Sequence, residues 1–193
     1  MSGRVQSIQV GQVRPLQVGG RKLMSAIGKQ SVSGTVAVGT LGLAGDEQAD
    51  PSVHGGLSKA VYALPVQHVA WWQAQRQTRG VTLFDETLPP GFLGENLSLQ
   101  DLDEGVVFIG DTLHFADLVL RVTEPRQPCG KFNAVMGYDQ AGRDMVQSGR
   151  CGFYLAVDKP GTLSAGETFL IQPGERLTSV ADALRQKSWK HLR

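Results

Sequence analysis

A strand-like run leads into a proline-bounded loop in the stretch Asp117-Leu118-Val119-Leu120-Arg121-Val122-Thr123-Glu124-Pro125-Arg126-Gln127-Pro128-Cys129-Gly130-Lys131-Phe132-Asn133. Proline lacks a backbone donor and restricts its neighbours, so the two prolines are expected to break the strand and fix the loop. Cys129 in this loop has Arg126 three residues before it and Lys131 two after it. Nearby cations favour the thiolate, which attacks electrophiles and binds soft metals. Most cysteines are small buried hydrophobes, but this environment favours a functional Cys129.

The composition is that of one ordinary globular domain. The chain has 193 residues, 41% hydrophobic and 19% charged, which is enough for one domain with its own core. Its 24 glycines and 9 prolines indicate many turns between short strands. The net charge of +1 gives no field that would draw the protein to nucleic acid or a membrane. We recognise no disulfide framework, no signal peptide and no apolar run of membrane length in the sequence. A cytoplasmic location is therefore expected.

Short strands dominate the pattern along the chain. Apolar, β-branched runs bounded by glycine or proline predict strands at residues 4–10, 22–27, 34–38, 60–64, 106–109, 112–115, 118–122, 153–157 and 166–171. Helical spacing after Pro65 predicts a helix at 66–75, on which His68 is expected to be partly exposed, and a shorter helix is predicted at 140–147. The predicted fold is mainly β with α additions, closed or barrel-like.

The C-terminal segment differs from the rest, and the chain is divided into residues 1–175 and a short basic helix at 176–193. Ser179 and Asp182 resemble a capping box with Asp in place of Glu. The segment's charged residues are Asp182 and five cations at 176, 185, 187, 190 and 193. This pattern is typical of a solvated helix, with a docking surface for an acidic partner as the alternative.

Polar residues beside glycines form a second group of candidates. His54 precedes Gly55-Gly56, an arrangement that leaves the ring open to a ligand but also fits a solvated turn. Glu95 and Asn96 lie between apolar residues, which suggests inward-facing polar groups that need partners, or else a solvated turn. Lys59 fits a surface lysine, and because nothing else supports a Schiff base, pyridoxal phosphate is not expected. Cys151 beside an apolar strand is expected to be structural.

Five short motifs, taken in their order and spacing over residues 4–175, resemble the MOSC domain, and within that family the bacterial 6-hydroxylaminopurine-resistance branch. They are Gly42-Leu43-Ala44-Gly45-Asp46-Glu47-Gln48, Val53-His54-Gly55-Gly56, Gly94-Glu95-Asn96-Leu97, Gly110-Asp111 and Arg126-Gln127-Pro128-Cys129-Gly130-Lys131-Phe132-Asn133. The resemblance implies a β-barrel fold that binds a molybdenum–pterin cofactor. It also implies that Cys129 ligates the molybdenum and that N-hydroxylated bases or related N-oxygenated compounds are reduced, as in hydroxylaminopurine detoxification.

The same resemblance suggests roles for the other motif residues. A pterin phosphate calls for cations and free amides, for which the candidates are His54, Lys59, Arg126 and Lys131. Hydrogen bonds to the pterin ring edges are the role suggested for Glu95, Asn96 and Asn133. Besides Cys129, His54 is the second candidate catalytic residue, as a proton donor.

The electrons are expected to come from a separate reductase. An iron–sulfur cluster usually takes four cysteines, whereas the chain has 2, and no dinucleotide fingerprint is present. The resistance branch usually continues into a small helical C-terminal domain, so the helix at 176–193 is interpreted as a remnant of that module. The expected partners are therefore a small N-hydroxylated substrate and the donor protein.

Three alternatives remain at this stage. Cys129 could hold a persulfide in a sulfur carrier or transferase, with the basic groups binding a phosphorylated acceptor. The domain could bind the molybdenum cofactor without catalysing a reaction. A Cys–His hydrolase that pairs Cys129 with His54 is the most distant alternative.

Overall fold

Seven strands close into a barrel in this computed structural model, which describes residues 1–50, 55–82 and 86–190. In chain order the strands are β1 (Ser2–Val10), β2 (Arg14–Val18), β3 (Arg21–Ser25), β4 (Gln30–Val32), β5 (Thr35–Gly39), β6 (Gly42–Leu43), β7 (Val61–Pro65), β8 (Leu97–Gln100), β9 (Thr112–His114), β10 (Val119–Pro125), β11 (Phe153–Lys159), β12 (Gly161–Ser164) and β13 (Thr168–Gln172). The barrel order is β1-β13-β9-β10-β11-β7-β8, and β8 pairs back to β1. The pairs are antiparallel except β7 with β8, which is parallel. The predicted β-barrel fold is confirmed.

Smaller sheets surround the barrel. Strand β4 extends the sheet beside β1, while β12, β5 and β6 form a separate three-stranded sheet. Strands β2 and β3 form a two-stranded hairpin. Its turn is Gly19-Gly20, where both residues have positive φ (51° and 79°), as a tight two-residue hairpin turn requires.

The hydrophobic core is filled by large apolar side chains from both the barrel strands and the helices. The largest fully buried ones include Trp72, Phe132, Phe153 and Phe169. All five residues of β7 are buried, because the strand lies between the barrel core and a helix that covers its outer side. A strand covered on both faces reads as a continuous apolar run, which is the pattern Val61-Tyr62-Ala63-Leu64 shows.

Four α-helices, α1 (Gln67–Thr78), α2 (Gly130–Met136), α3 (Ala141–Ser148) and α4 (Val180–Lys190), and a short 3-10 helix (Leu57–Lys59) complete the described residues. The helices predicted at 66–75 and 140–147 correspond to α1 and α3. In α4 the backbone N–H of Asp182 donates to Ser179 Oγ at 3.1 Å, as the capping pattern predicted. Val180 and Leu184 are fully buried, and α4 packs against β10. None of the described helices is long and apolar enough to span a membrane.

Three local expectations were wrong. Residues 106–109 do not form a strand, since they lie in turns and only Phe108 forms an isolated bridge, to Ser179. The segment after Cys129 is the helix α2 and not a loop. His68 is 2% exposed because its Nε2 lies 2.6 Å from the Glu104 carboxylate, a partner 36 residues away that local sequence does not reveal.

Candidate active site

A cavity opens where β10 ends and where β7, β8 and β11 begin. Its walls come from five segments of the described chain and from Tyr154, the segments being 25–29, 46–50, 59–62, 93–96 and 126–131. The strand register places Tyr154 directly opposite Tyr62, and their rings lie 5.5 Å apart. The predicted site residues that line this cavity are Lys59, Asn96, Arg126, Cys129 and Lys131.

Cys129 lies at the wall of this cavity, at the N-terminus of α2. It is the N-cap residue, in extended conformation (φ −148°, ψ 164°), and its side chain is half-buried. Its carbonyl accepts hydrogen bonds from the backbone N–H groups of Phe132 (3.0 Å) and Asn133 (3.3 Å). A helix N-terminus carries partial positive charge, which stabilises a negative group placed there. The local fold therefore adds to the effect of the neighbouring cations on this sulfur.

Arg126 is the most deeply buried cation of the cavity wall, at 4% exposed. Its guanidinium lies 4.6 Å from the Phe132 ring centroid and 5.6 Å from that of Tyr62. Burial opposes the charge, but the pKa of Arg126 is raised overall by Tyr62, Tyr154 and Cys129 nearby, so the group stays cationic. It donates to the Gln127 carbonyl at 2.9 Å. Within the described chain no carboxylate accepts a hydrogen bond from it, so this buried charge has capacity for an anionic ligand.

Two lysines contribute to the positive charge of the cavity. The Lys59 ammonium lies 3.7 Å from the Glu124 carboxylate and 5.8 Å from the centroid of the Tyr154 ring. Lys131 in the first turn of α2 is half-buried and lines the cavity. Together with Arg126, these side chains place three cations on the cavity wall that also contains Cys129, a combination suited to an anionic ligand that also has a soft centre.

Asn96 occupies the cavity wall, but both of its side-chain N–H donors and one acceptor site of its oxygen are used by protein groups. Its Nδ2 donates to the Gln9 carbonyl at 3.2 Å and to Asp46 Oδ2 at 2.9 Å. Its Oδ1 accepts from the backbone N–H of Tyr62 at 3.0 Å. Asp46 in turn pairs with Lys29 and accepts from the Gly11 N–H at 2.7 Å. These contacts join β1, β7, β8 and the 46–50 segment, so Asn96 braces the wall.

Glu95 and Asn133 do not line the cavity. Glu95 is 1% exposed, and its Oε1 accepts from the Gly91 N–H at 2.7 Å, while burial raises its pKa. Asn133 donates to the Asp139 carbonyl at 2.7 Å and accepts from the Gly142 N–H at 2.8 Å, which ties α2 to α3. Their positions favour structural roles over the predicted contacts with a ligand.

Two tyrosines and an ion pair were not singled out from the sequence. Tyr62 Oη donates to the Cys151 carbonyl at 2.8 Å, and burial raises the pKa values of Tyr62 and Tyr154. In the sequence both read as ordinary strand residues, so only the register reveals them. The ion pair is that of Lys29 with Asp46. The sequence pointed to it only through Asp46, which belongs to the motif Gly45-Asp46-Glu47.

The two remaining expectations for the site concern Cys151 and His54. Cys151 is fully buried, and burial raises its pKa, which confirms the structural assignment. His54 lies outside the described residues, and its roles stay predictions. In the ranges that the structure describes, no group of three or more His, Cys, Asp or Glu side chains could hold a metal ion.

A barrel with this cysteine-lined cavity corresponds to a known class of domain. The family profile of the MOSC domain matches residues 50–170, and the chain belongs to the MOSC domain family. It is 35% identical to protein YiiM of Escherichia coli over 164 residues, which cover 85% of this chain and 69% of that protein. A protein named reductase from Gibberella moniliformis is 33% identical over 167 residues, covering 86% of this chain but 28% of the fungal protein.

The fold agrees with this assignment. The crystal structure of YiiM from Geobacillus stearothermophilus superposes with a TM-score of 0.74 at 26% identity, covering 99% of this chain and 86% of that one. The family resemblance predicted from the five motifs is therefore confirmed.

Proposed function

We propose that the protein is a molybdenum-cofactor-dependent oxidoreductase that reduces N-hydroxylated bases or related N-oxygenated compounds. The observation that carries the proposal is the half-buried Cys129 at the cavity wall, beside a buried guanidinium without a carboxylate partner in the described chain. Membership of the MOSC family and the relative named reductase support the same class of chemistry.

The residues at the cavity fit such a cofactor. Molybdenum held by a dithiolene is a soft centre, for which the Cys129 thiolate is a suitable ligand. Arg126, Lys131 and Lys59 would hold the pterin phosphate, because charge-assisted hydrogen bonds to phosphate are strong. Asn96 would mainly shape the wall, since its side chain makes three hydrogen bonds to protein groups and has no N–H left to donate to a ligand.

The net reaction converts R–NH–OH, two electrons and two protons into R–NH2 and water, and the bound cofactor supplies the redox chemistry. The protein's own groups provide charge, shape and protons. Tyr154 lines the cavity, and burial raises its pKa, so its neutral hydroxyl is available to hydrogen-bond a bound ligand and is a poor proton donor. His54 remains the proton donor predicted from the sequence.

The decisive experiment is the molybdenum and pterin content per chain after expression in a host that makes the cofactor. Cys129→Ala is the test variant, and Cys151→Ala is the matched control, because it removes a fully buried thiol. We expect near-stoichiometric molybdenum in the wild type and the control and a sharp loss in Cys129→Ala. The loaded protein should then reduce an N-hydroxylated base with reduced methyl viologen. Neither metal nor pterin in any of the three proteins would refute the proposal, and a persulfide on Cys129 would indicate the sulfur-carrier alternative.

A further inference from the structure

The junction between α3 and β11, residues 149–152, contacts two residues of the cavity wall. The Gly152 carbonyl accepts from the backbone N–H of Arg126 at 3.2 Å, and the Cys151 carbonyl accepts from Tyr62 Oη at 2.8 Å. The ring centroid of Tyr62 lies 5.6 Å from the Arg126 guanidinium. The junction therefore fixes Arg126 in two ways, directly through its backbone and indirectly through the Tyr62 ring.

A buried carboxylate holds this junction. Glu104 is 4% exposed, and its Oε1 accepts from the Gly152 N–H at 2.7 Å. Its Oε2 lies 2.6 Å from His68 Nε2, and its backbone carbonyl accepts from the N–H of Ala181 in α4 at 3.1 Å. Because Gly152 donates to Glu104 and accepts from Arg126, a single residue separates the buried carboxylate from the buried cation of the cavity wall.

His68 keeps the Glu104 carboxylate in place. The Nδ1 atom of His68 is buried and has no hydrogen-bond partner in the described residues. An imidazole that carries its proton on Nε2 donates it to Glu104 and leaves no N–H without an acceptor. Each carboxylate oxygen of Glu104 then accepts a hydrogen bond, as a buried polar group requires.

One peptide group connects Glu104 to Tyr62. The carbonyl of Cys151 and the N–H of Gly152 belong to the same planar trans peptide, in which they point in opposite directions. Glu104 therefore binds one end of this group and Tyr62 binds the other. Without Glu104 the buried N–H loses its acceptor, and glycine allows the peptide group to rotate toward another one. Such a rotation would turn the Cys151 carbonyl away from Tyr62 Oη.

We propose that Glu104, held by His68, is a positioning residue of the candidate active site, which orients Arg126 at the cavity through residues 151 and 152. Neither Glu104 nor His68 is among the described residues that line the cavity, so the pair acts through the backbone without touching a ligand. The inference rests on the proposed function for the identity of the anion that Arg126 binds. The orientation of Arg126 itself can be measured without that anion.

The test is the NMR signal of the Arg126 Nε–H in the cofactor-free, full-length protein. The Arg126 guanidinium lies 4.6 Å from the Phe132 ring centroid, and an aromatic ring shifts the resonance of a group over its face, so the signal reports where the guanidinium lies. It is assigned as the signal that Arg126→Lys removes. The test variant is Glu104→Ala, and the conservative variant is Glu104→Gln, which keeps an oxygen acceptor for the Gly152 N–H.

The matched control is Asp111→Ala. Asp111 is 0% exposed, and its Oδ1 accepts from the Gly174 N–H at 2.9 Å, so this variant also removes a buried carboxylate that binds the backbone. None of its hydrogen-bond partners lines the cavity. The control therefore loses stability without disturbing the junction.

We expect the Arg126 signal to move in Glu104→Ala and to stay at its wild-type position in Glu104→Gln and Asp111→Ala. Glu104→Gln should still be less stable than the wild type, because its amide N–H faces His68 Nε2 and forces the imidazole proton onto Nδ1, which has no acceptor. A purely structural role of Glu104 predicts a different result, in which the signal follows the loss of stability in all three variants.

An unchanged Arg126 signal in Glu104→Ala, or an equal change in Asp111→Ala, would overturn the positioning role. If Glu104→Ala does not fold, Glu104→Asp gives the same test, because it keeps the charge but is one methylene too short to reach both partners. In the cofactor-loaded protein, Glu104→Ala should release pterin about tenfold faster than the control, since a charge-assisted hydrogen bond from Arg126 is weakened. If the wild type binds no cofactor, the proposed function fails, while the NMR comparison still decides the role of Glu104.

Discussion

Replacing Asn96 by Ala should destabilise the fold, because this residue joins β1 and β7 to the 46–50 segment of the cavity wall. Its side chain is 3% exposed and makes three hydrogen bonds, to the Gln9 carbonyl, to Asp46 and from the backbone of Tyr62. In the variant, the Gln9 carbonyl, the Asp46 carboxylate and the Tyr62 N–H each lose the hydrogen bond that Asn96 makes. A ligand-binding residue that faced an open cavity would leave no such groups behind.

The size of the effect follows from these three bonds. A typical internal hydrogen bond contributes about 1 kcal/mol, and a buried group left unsatisfied costs about 1–3 kcal/mol. Asn96→Ala should therefore lower the free energy of unfolding by about 3 kcal/mol or more. For a chain of this size each kcal/mol lowers the Tm by about 2–4 °C, so a decrease of about 6–12 °C is expected.

The assay is urea and thermal unfolding of the cofactor-free protein, which removes any contribution from ligand binding. Gln100→Ala is the control, because this amide at the end of β8 makes an exposed bond to Gln6 and should change stability by less than about 0.5 kcal/mol. If Asn96→Ala is as stable as the control but loses the cofactor, the bracing role is refuted and direct contact with the pterin is the better assignment.

Three further perturbations test separate parts of the structure. Because burial raises the pKa of Glu95, its stabilising contribution is full below the unfolded pKa and is lost as the pH rises through the native pKa. Glu95→Gln should flatten that decline, which begins above the unfolded carboxyl pKa of about 4, and parallel stability curves for the two proteins would contradict this. Iodoacetamide should label Cys129 at the cavity wall much faster than Cys151, because Cys151 is fully buried and its burial raises the pKa of the thiol. Comparable labelling rates, measured by mass spectrometry, would show that Cys151 is not buried. Gly152→Ala should lower the free energy of unfolding by about 2 kcal/mol more than Gly149→Ala. Both glycines have positive φ, but only a Cβ at Gly152 would collide with a carbonyl of β7. Equal losses in the two variants would contradict this steric explanation.

Local sequence predicted the barrel strands well where glycine or proline bounds an apolar run. It missed β8, because the apolar part of this strand, Leu97-Ser98-Leu99, is short and directly follows Gly94-Glu95-Asn96, a pattern that is also typical of a turn. The parallel pairing of β8 with β7 also has no local signal, since the two strands are separated by α1 and a long connection. Residues 106–109 show the opposite error, where Val106-Val107-Phe108-Ile109 reads as a strand but finds only one bridging partner.

The candidate site was predictable to the extent that its groups lie close together in the sequence. Arg126, Cys129 and Lys131 fall within six residues, and the fold keeps all three at the cavity. Tyr62 and Tyr154 come together only through the pairing of β7 with β11, which depends on the whole barrel. Their contribution to the site could not be read from either strand alone.

The partners of each side chain separate the motif residues that hold the site together from those that can bind a ligand. Asn133 and Asn96 spend their side-chain groups on protein partners, and Glu95 lies beneath the surface with one oxygen bound to backbone. Arg126 differs, because its buried charge meets aromatic faces and no carboxylate within the described chain. Burying a cation costs free energy unless an anion pairs with it. The positive wall around Cys129 is thus the part of the site that a bound anionic cofactor would stabilise, and the amide-rich motifs form the frame that holds that wall in place.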